Sequence, residues 1–215
     1  MVNSMKLSSD EILDQLIELF PNAHCELNHE TPFQLLIAVI LSAQTTDVSV
    51  NKVTPALFNK YPDAHTLANA EVSDVEQLIR NIGLYRNKAK NIIACAKQIV
   101  DEFGGEVPNT MKKLTSLAGV GRKTANVVLS VSFNIPAIAV DTHVERISKR
   151  LGFAKSSDSV LQVEEKLKRK IKRERWNHAH HLIIFFGRYF CTAKNPKCND
   201  CPFIGLCKEK KKNLK

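Results

Sequence analysis

The chain has 215 residues, 44% of them hydrophobic, which is enough to bury a core in one large domain or two small interlocked ones and excludes a disordered tail. Its 31 Lys and Arg against 22 Asp and Glu leave a formal charge of +9, which favours a polyanionic partner, either nucleic acid or an anionic membrane surface. Met1 to Asp10 carry no apolar signal core, and the longest apolar run, Leu35 to Leu41, is far too short to span a bilayer, so the sequence reads as soluble and intracellular with no membrane partner.

Apolar residues recur at helical spacing almost throughout, and the expected fold class is all-α. Thr31 is a cap and Pro32 a first-position proline, and together they open a helix from Phe33 to Ser42 that is apolar nearly all round and should be central. The next helices are marked by Val75, Leu78, Ile79 and Ile82, and then by Ala89, Ile92, Ile93, Ala96, Ile99, Val100 and Phe103, which Gly104-Gly105 ends. After the turn Gly119-Val120-Gly121 a helix carries Val127 and Val128. Phe133 to Val140, with Pro136 inside, reads as an extended connector and a candidate domain crossing. Helices follow around Val144, Ile147 and Leu151, from Val160 to Ile171, and from His178 to Phe186. The run Lys166 to Arg175 holds seven basic residues and one acid, and Lys208 to Lys215 is lysine-rich; both read as solvated faces that add to the general field.

The Gly119-Val120-Gly121 turn lies between two helical patterns, where glycines allow a tight bend and the amides opening the next helix form an anion site that suits a DNA phosphate. A lone Gly-x-Gly is an ordinary interhelical turn; the string Leu117-Ala118-Gly119-Val120-Gly121-Arg122-Lys123-Thr124-Ala125 is far more specific. Asp141, in Val140-Asp141-Thr142-His143-Val144, is a plausible helix cap, a role compatible with chemistry. Cys25 and Cys95 stand alone and read as buried thiols. Cys191, Cys198, Cys201 and Cys207 follow the spacing Cys-x6-Cys-x2-Cys-x5-Cys in a basic tail, better suited to a metal or cluster than to disulfides. Four thiolates suit a [4Fe-4S] cluster or a tetrahedral zinc, although zinc usually takes two Cys-x2-Cys knuckles and here there is one. The chain lacks a Gly-x-Gly-x-x-Gly fingerprint, and His178, His180 and His181 lack carboxylate spacing and read as core or surface residues.

The hairpin string resembles the helix-hairpin-helix motif of the DNA glycosylase superfamily, and with Asp141 and the cysteine spacing the resemblance to the endonuclease III family covers essentially the whole chain. That resemblance implies a DNA N-glycosylase and apurinic/apyrimidinic lyase of base excision repair, a monomer in a bacterial-type cytoplasm, acting on duplex DNA that contains damaged bases or abasic sites, with oxidised pyrimidines as the lesions. Lys123 would be the nucleophile that forms a Schiff base, and Asp141 would activate it and stabilise oxocarbenium-like charge. Gly119, Val120 and Gly121 would bind the phosphate backbone, and the four cysteines would hold a [4Fe-4S] cluster whose first loop offers Lys194 and Lys197 to DNA. The string Leu41-Ser42-Ala43-Gln44-Thr45-Thr46-Asp47 is similar to the segment whose glutamine fills the space left by an extruded base, which carries over to Gln44. Asn81-Ile82-Gly83-Leu84-Tyr85 is similar to the loop that wedges the opposite strand, which carries over to Leu84 and Ile82. His143 resembles a residue near the active site of this family and could equally be structural. The implied architecture is a helical barrel over residues 25–135 and a cluster domain of residues 1–24 and 136–215, with the active site in the groove between them.

The adenine-removing sister family shares the hairpin and cluster but typically has Ser where Lys123 stands, and it carries a further C-terminal domain. Mismatch thymine glycosylases also replace the lysine, whereas pyrimidine-dimer glycosylases keep it, so the lesion is less constrained than the reaction. A non-enzymatic helix-hairpin-helix module or a redox-sensing regulator would account for the charge and the cysteines without needing both Lys123 and Asp141.

Overall fold

The computed structural model describes residues 7–214; the sequence readings for Met1 to Lys6, and for Lys215 at the lysine-rich end, lie outside the described residues. Every regular element among the described residues is helical. The chain divides into two compact units, one made from the chain up to His24 and from Pro136 onward, the other from Cys25–Ile135.

In the continuous unit, α2 (Pro32–Leu41) is the centre. Thr31 accepts the Gln34 amide at 3.1 Å, Pro32 sits where a missing N–H costs nothing, and every residue from Phe33 to Leu41 is buried. The helix α3 (Asp47–Lys60) is not among the helices read from the sequence; it carries Pro55, and capping by Thr46 and burial of Val50, Val53 and Leu57 hold it through the proline. Two short helices, α4 (Ala64–Ala68) and α7 (Met111–Leu114), were also unforeseen. The expected helix around Val75 is α5 (Val72–Ile79), which ends before Ile82. The longest element, α6 (Tyr85–Phe103), buries Ala89, Ile92, Ile93, Ala96 and Ile99 and stops at Gly104, where φ is +63°. The helix α8 (Arg122–Ser132) follows the Gly-Val-Gly turn.

The discontinuous unit starts with α1 (Ser9–Leu19), opened by a reciprocal capping box between Ser8 and Glu11. Its Ile12, Leu13 and Leu16 enter one core with Val144, Ile147, Ile183, Phe186 and Phe203. Arg175 holds α1 in place through Asp10 at 3.0 Å and Asp14 at 2.6 Å. Phe133 to Val140 is non-helical, as its Pro136 suggested, and leads into α9 (Thr142–Arg150) and α10 (Val160–Lys170). A 3₁₀ turn over Arg173–Arg175 precedes α11 (Trp176–Phe185), and a π turn over Phe186–Phe190 extends it.

On α11 the rings of His180 and His181 lie 3.9 Å apart. Burial, then the charges of His180, His178 and His24, push His181 down to about 2. A histidine kept neutral in the fold stabilises it fully above its unfolded value near 6.5, and that contribution fades as pH falls from there towards the folded value. Stability to denaturant should therefore drop by about 1.4 kcal/mol per pH unit below pH 6 from this group. Urea titrations of the parent and His181→Phe between pH 5 and 8 check this: the variant should show a flatter profile.

Candidate functional site

The residues singled out in the sequence fall in both units. In the continuous unit, the hairpin between α7 and α8 is fixed by its backbone. Gly119 has φ +75°, and a Cβ there would sit 3.2 Å from both Ile40 of α2 and Asn91 of α6, so a side chain would be strained by conformation and crowded by its neighbours. From α6, Gln98 accepts the Ala118 amide at 2.7 Å and donates to the Ser116 carbonyl at 3.3 Å, clamping the hairpin from one side. Gly121 is the N-cap of α8 and carries no side-chain oxygen to cover the first-turn amides, while Val120 is buried, so the turn faces outward through its backbone. Lys123 is exposed on the first turn of α8. Its charge is felt by Cys25, whose thiol is pushed up chiefly by burial.

Gln44 and Leu84 share an unusual backbone. With Asn134 they are the non-glycine residues at positive φ among the described residues, at 54° and 59°. Both are exposed, Leu84 by 58%. Ile82, paired with Leu84 in the sequence reading, is instead 3% exposed and belongs to the core, so as placed it offers no surface to DNA; the turn Ile82 N–H to Ile79 carbonyl folds it inward where α5 ends. Lys88, which the sequence reading passed over, joins the two loops by donating to Thr45 Oγ1 at 2.7 Å. Its signal was a lysine on the apolar stripe of α6, beside Ala89 and Ile92.

In the discontinuous unit, Asp141 caps α9, its Oδ1 accepting the Val144 amide at 2.8 Å. One carboxylate oxygen is thus structural and the other remains for further contacts. His143 lies 3.4 Å from the Arg146 guanidinium, and its Cβ is against Gly187. Arg146 donates to the carbonyls of Gly187 at 2.7 Å and Cys191 at 3.2 Å, and Arg150, at the far end of α9, donates to Cys191 Sγ at 3.2 Å and to the Thr192 carbonyl at 3.1 Å. These two arginines were also missed, since nothing in their local pattern marks them out.

None of the six cysteines forms a disulfide. Burial raises Cys201 to about 11, and Cys191, Cys207 and Cys198 add to the shift. The donors around them suit thiolates: Arg150 reaches Cys191 and the Asn213 amide reaches Cys198 Sγ at 3.3 Å. An all-sulfur donor set with N–H partners fits an iron–sulfur cluster. Lys194 and Lys197 are exposed in the first loop of this segment, and Lys197 lies over the Phe190 ring at 5.8 Å. No helix of the described residues is long and apolar enough to cross a membrane.

Residues 37–173 match the model of the HhH-GPD superfamily of base excision DNA repair proteins, and residues 191–207 match the iron–sulfur binding domain of endonuclease III, whose limits fall on Cys191 and Cys207. The chain is 54% identical over 203 residues to endonuclease III of Bacillus subtilis, covering 94% of this chain and 93% of that one. It is 48% identical to endonuclease III of Escherichia coli K12, covering 94% and 95%. A solved structure of a trapped endonuclease III–DNA covalent intermediate, an estranged-adenine complex, superposes with a TM-score of 0.90 at 54% identity, covering 94% of this chain and 97% of that one.

Replacing Gly119 by Ala should destabilise the protein by about 1–2 kcal/mol from the left-handed backbone alone, with more from the clash at Ile40. Equilibrium denaturation checks it, and Gly121→Ala, where an added Cβ meets nothing within 4 Å, is the control expected to change little.

Proposed function

Since the chain belongs to the endonuclease III family of HhH-GPD base excision DNA repair proteins, we propose that Lys123 is its nucleophile and Asp141 the supporting carboxylate. The protein is a DNA glycosylase and apurinic/apyrimidinic lyase that binds damaged duplex DNA and holds a [4Fe-4S] cluster. The observation that carries the assignment is the exposed amine of Lys123 on the first turn of α8, immediately after a hairpin built to face a phosphate through its backbone.

Lys123 Nζ, as the free amine, attacks C1′ of the damaged nucleoside, the glycosidic bond breaks, and the base departs with the bonding electrons. The charge that develops on the sugar is stabilised by the Asp141 carboxylate, which also takes up the proton released by the amine. Ring opening leaves a Schiff base, and loss of a C2′ proton then expels the 3′ phosphate by β-elimination, cutting the strand 3′ to the site.

The target base must first leave the stack. Gln44 fills the vacated space and Leu84 wedges the opposite strand, while the backbone of Gly119, Val120 and Gly121 binds phosphate together with Lys194 and Lys197. Ile82 supports this loop from the core. Cys191, Cys198, Cys201 and Cys207 would hold the cluster, which when bound cross-links the final segment of chain through iron–thiolate bonds. The lesions are oxidised pyrimidines such as thymine glycol, and the enzyme acts as a cytoplasmic monomer.

Borohydride trapping on an abasic duplex and a thymine glycol duplex tests the assignment: the parent should form a covalent adduct on both and Lys123→Ala on neither. An adduct that survives in Lys123→Ala would assign the amine elsewhere. Asp141→Asn keeps a competent cap, so its melting temperature should hold while single-turnover excision falls by about 10²-fold or more; a normal rate would leave Asp141 with the cap alone. Affinity for duplex DNA should fall steeply between 50 and 200 mM salt, with a slope reduced by about one in Lys194→Ala.

A further inference from the structure

Lys88 lies on the face of α6 that otherwise carries Ala89, Ile92, Ile93 and Ala96, and only 4% of it is exposed. A buried ammonium is costly to desolvate, and burial indeed pulls this lysine below its usual range. Packing alone would be served by methionine or leucine, so what the lysine adds is a donor. That donor reaches Thr45 Oγ1 at 2.7 Å, and the same hydroxyl donates onward to the Ala43 carbonyl at 3.4 Å, so the bridge ends on both neighbours of Gln44. The backbone of Lys88 completes the arrangement, because its amide donates to the Leu84 carbonyl at 3.0 Å.

Gln44 and Leu84 both hold a left-handed backbone that side-chain-bearing residues disfavour. Such a conformation persists only where the surroundings over-determine it. The Lys88 side chain bonds the residue that follows Gln44, and its amide makes the first helical bond to Leu84 itself.

We infer that Lys88 is a positioning residue for base extrusion, fixing the Gln44 loop against the start of α6 so that Gln44 and Leu84 enter the duplex as a single preset wedge. This rests on the reading of those two residues as the groups that occupy the opened stack. A loop not held this way must be ordered during extrusion, and the rate of extrusion carries that loss, whereas the β-elimination step at a site already lacking its base does not.

The experiment compares single-turnover excision from a paired thymine glycol duplex with β-elimination at a preformed abasic site in the same duplex. The variants are Lys88→Met, Thr45→Val and Thr45→Ser, with Gln44→Ala and Leu84→Ala beside them. A 2-aminopurine placed next to the lesion reports unstacking. Lys88→Met and Thr45→Val should each slow unstacking and excision by about tenfold with abasic-site cleavage within about twofold, and Thr45→Ser, which keeps the hydroxyl, should restore the parent rate. Thr45→Val alters only a loop hydroxyl and keeps the test open should Lys88→Met fold poorly. Unchanged excision in Thr45→Val, equal losses on both substrates, or no recovery with Thr45→Ser would overturn the inference. If Gln44→Ala and Leu84→Ala also show no selective loss, the wedge reading fails and takes the inference with it; if they show it and Thr45→Val does not, the inference alone fails.

Discussion

Gly119 approaches α2 so closely that the methyl of Ile40 occupies the space a side chain would need. Helix α2 is itself buried at every position from Phe33 to Leu41, which leaves it little freedom to shift. The hairpin is therefore registered on the most constrained element of its unit, and Gln98 of α6 secures its other side. The same two helices also launch the loop of Gln44, which leaves the end of α2, and the turn of Leu84, which begins α6. Gly119 to Gly121, Lys123, Gln44 and Leu84 are thereby referred to one rigid frame, which is the placement that the proposed reaction demands.

In the other unit α9 plays the comparable part. Asp141 caps its first turn, Arg146 in the middle grips the Gly187 and Cys191 carbonyls, and Arg150 at the end bonds Cys191 Sγ while its own carbonyl accepts the Lys208 amide at 2.7 Å. The cysteine segment is thus tied along nearly the whole length of the helix that presents the carboxylate. Order in the cysteine segment is therefore coupled to the position of α9 and, through its first turn, to that of Asp141.

Much of this was legible in the sequence wherever one short stretch of chain carried the constraint. Thr31-Pro32 marks the start of α2, Gly104 the end of α6, and Gly119 a left-handed backbone that strains any side chain. What escaped depends on distant partners. Helix α3 runs through Pro55, against local propensity, because Val50, Val53 and Leu57 are buried on its inner side. Ile82 and Leu84 are equally apolar and two residues apart, and only the turn after α5 decides that one is core and the other exposed. Lys88 was overlooked because a lysine is normally read as solvent-facing, and its partner Thr45 lies 43 positions away. The resemblance to a known family, rather than periodicity, supplied the roles of Gln44 and Leu84.

The union of both chain ends in one core has a consequence for synthesis. Ile12, Leu13 and Leu16 emerge from the ribosome long before Ile183, Phe186 and Phe203, with which they share a core. At ordinary elongation speeds, the wait is roughly ten to forty seconds. Cys25–Ile135, a compact unit of its own, is synthesised in that interval, so the apolar stripe of α1 waits for its partners while the whole of that unit leaves the ribosome. The capping box of Ser8 and Glu11 favours helix there before any tertiary partner exists, and the acidic Asp10 and Asp14 keep that waiting segment hydrated until Arg175 arrives.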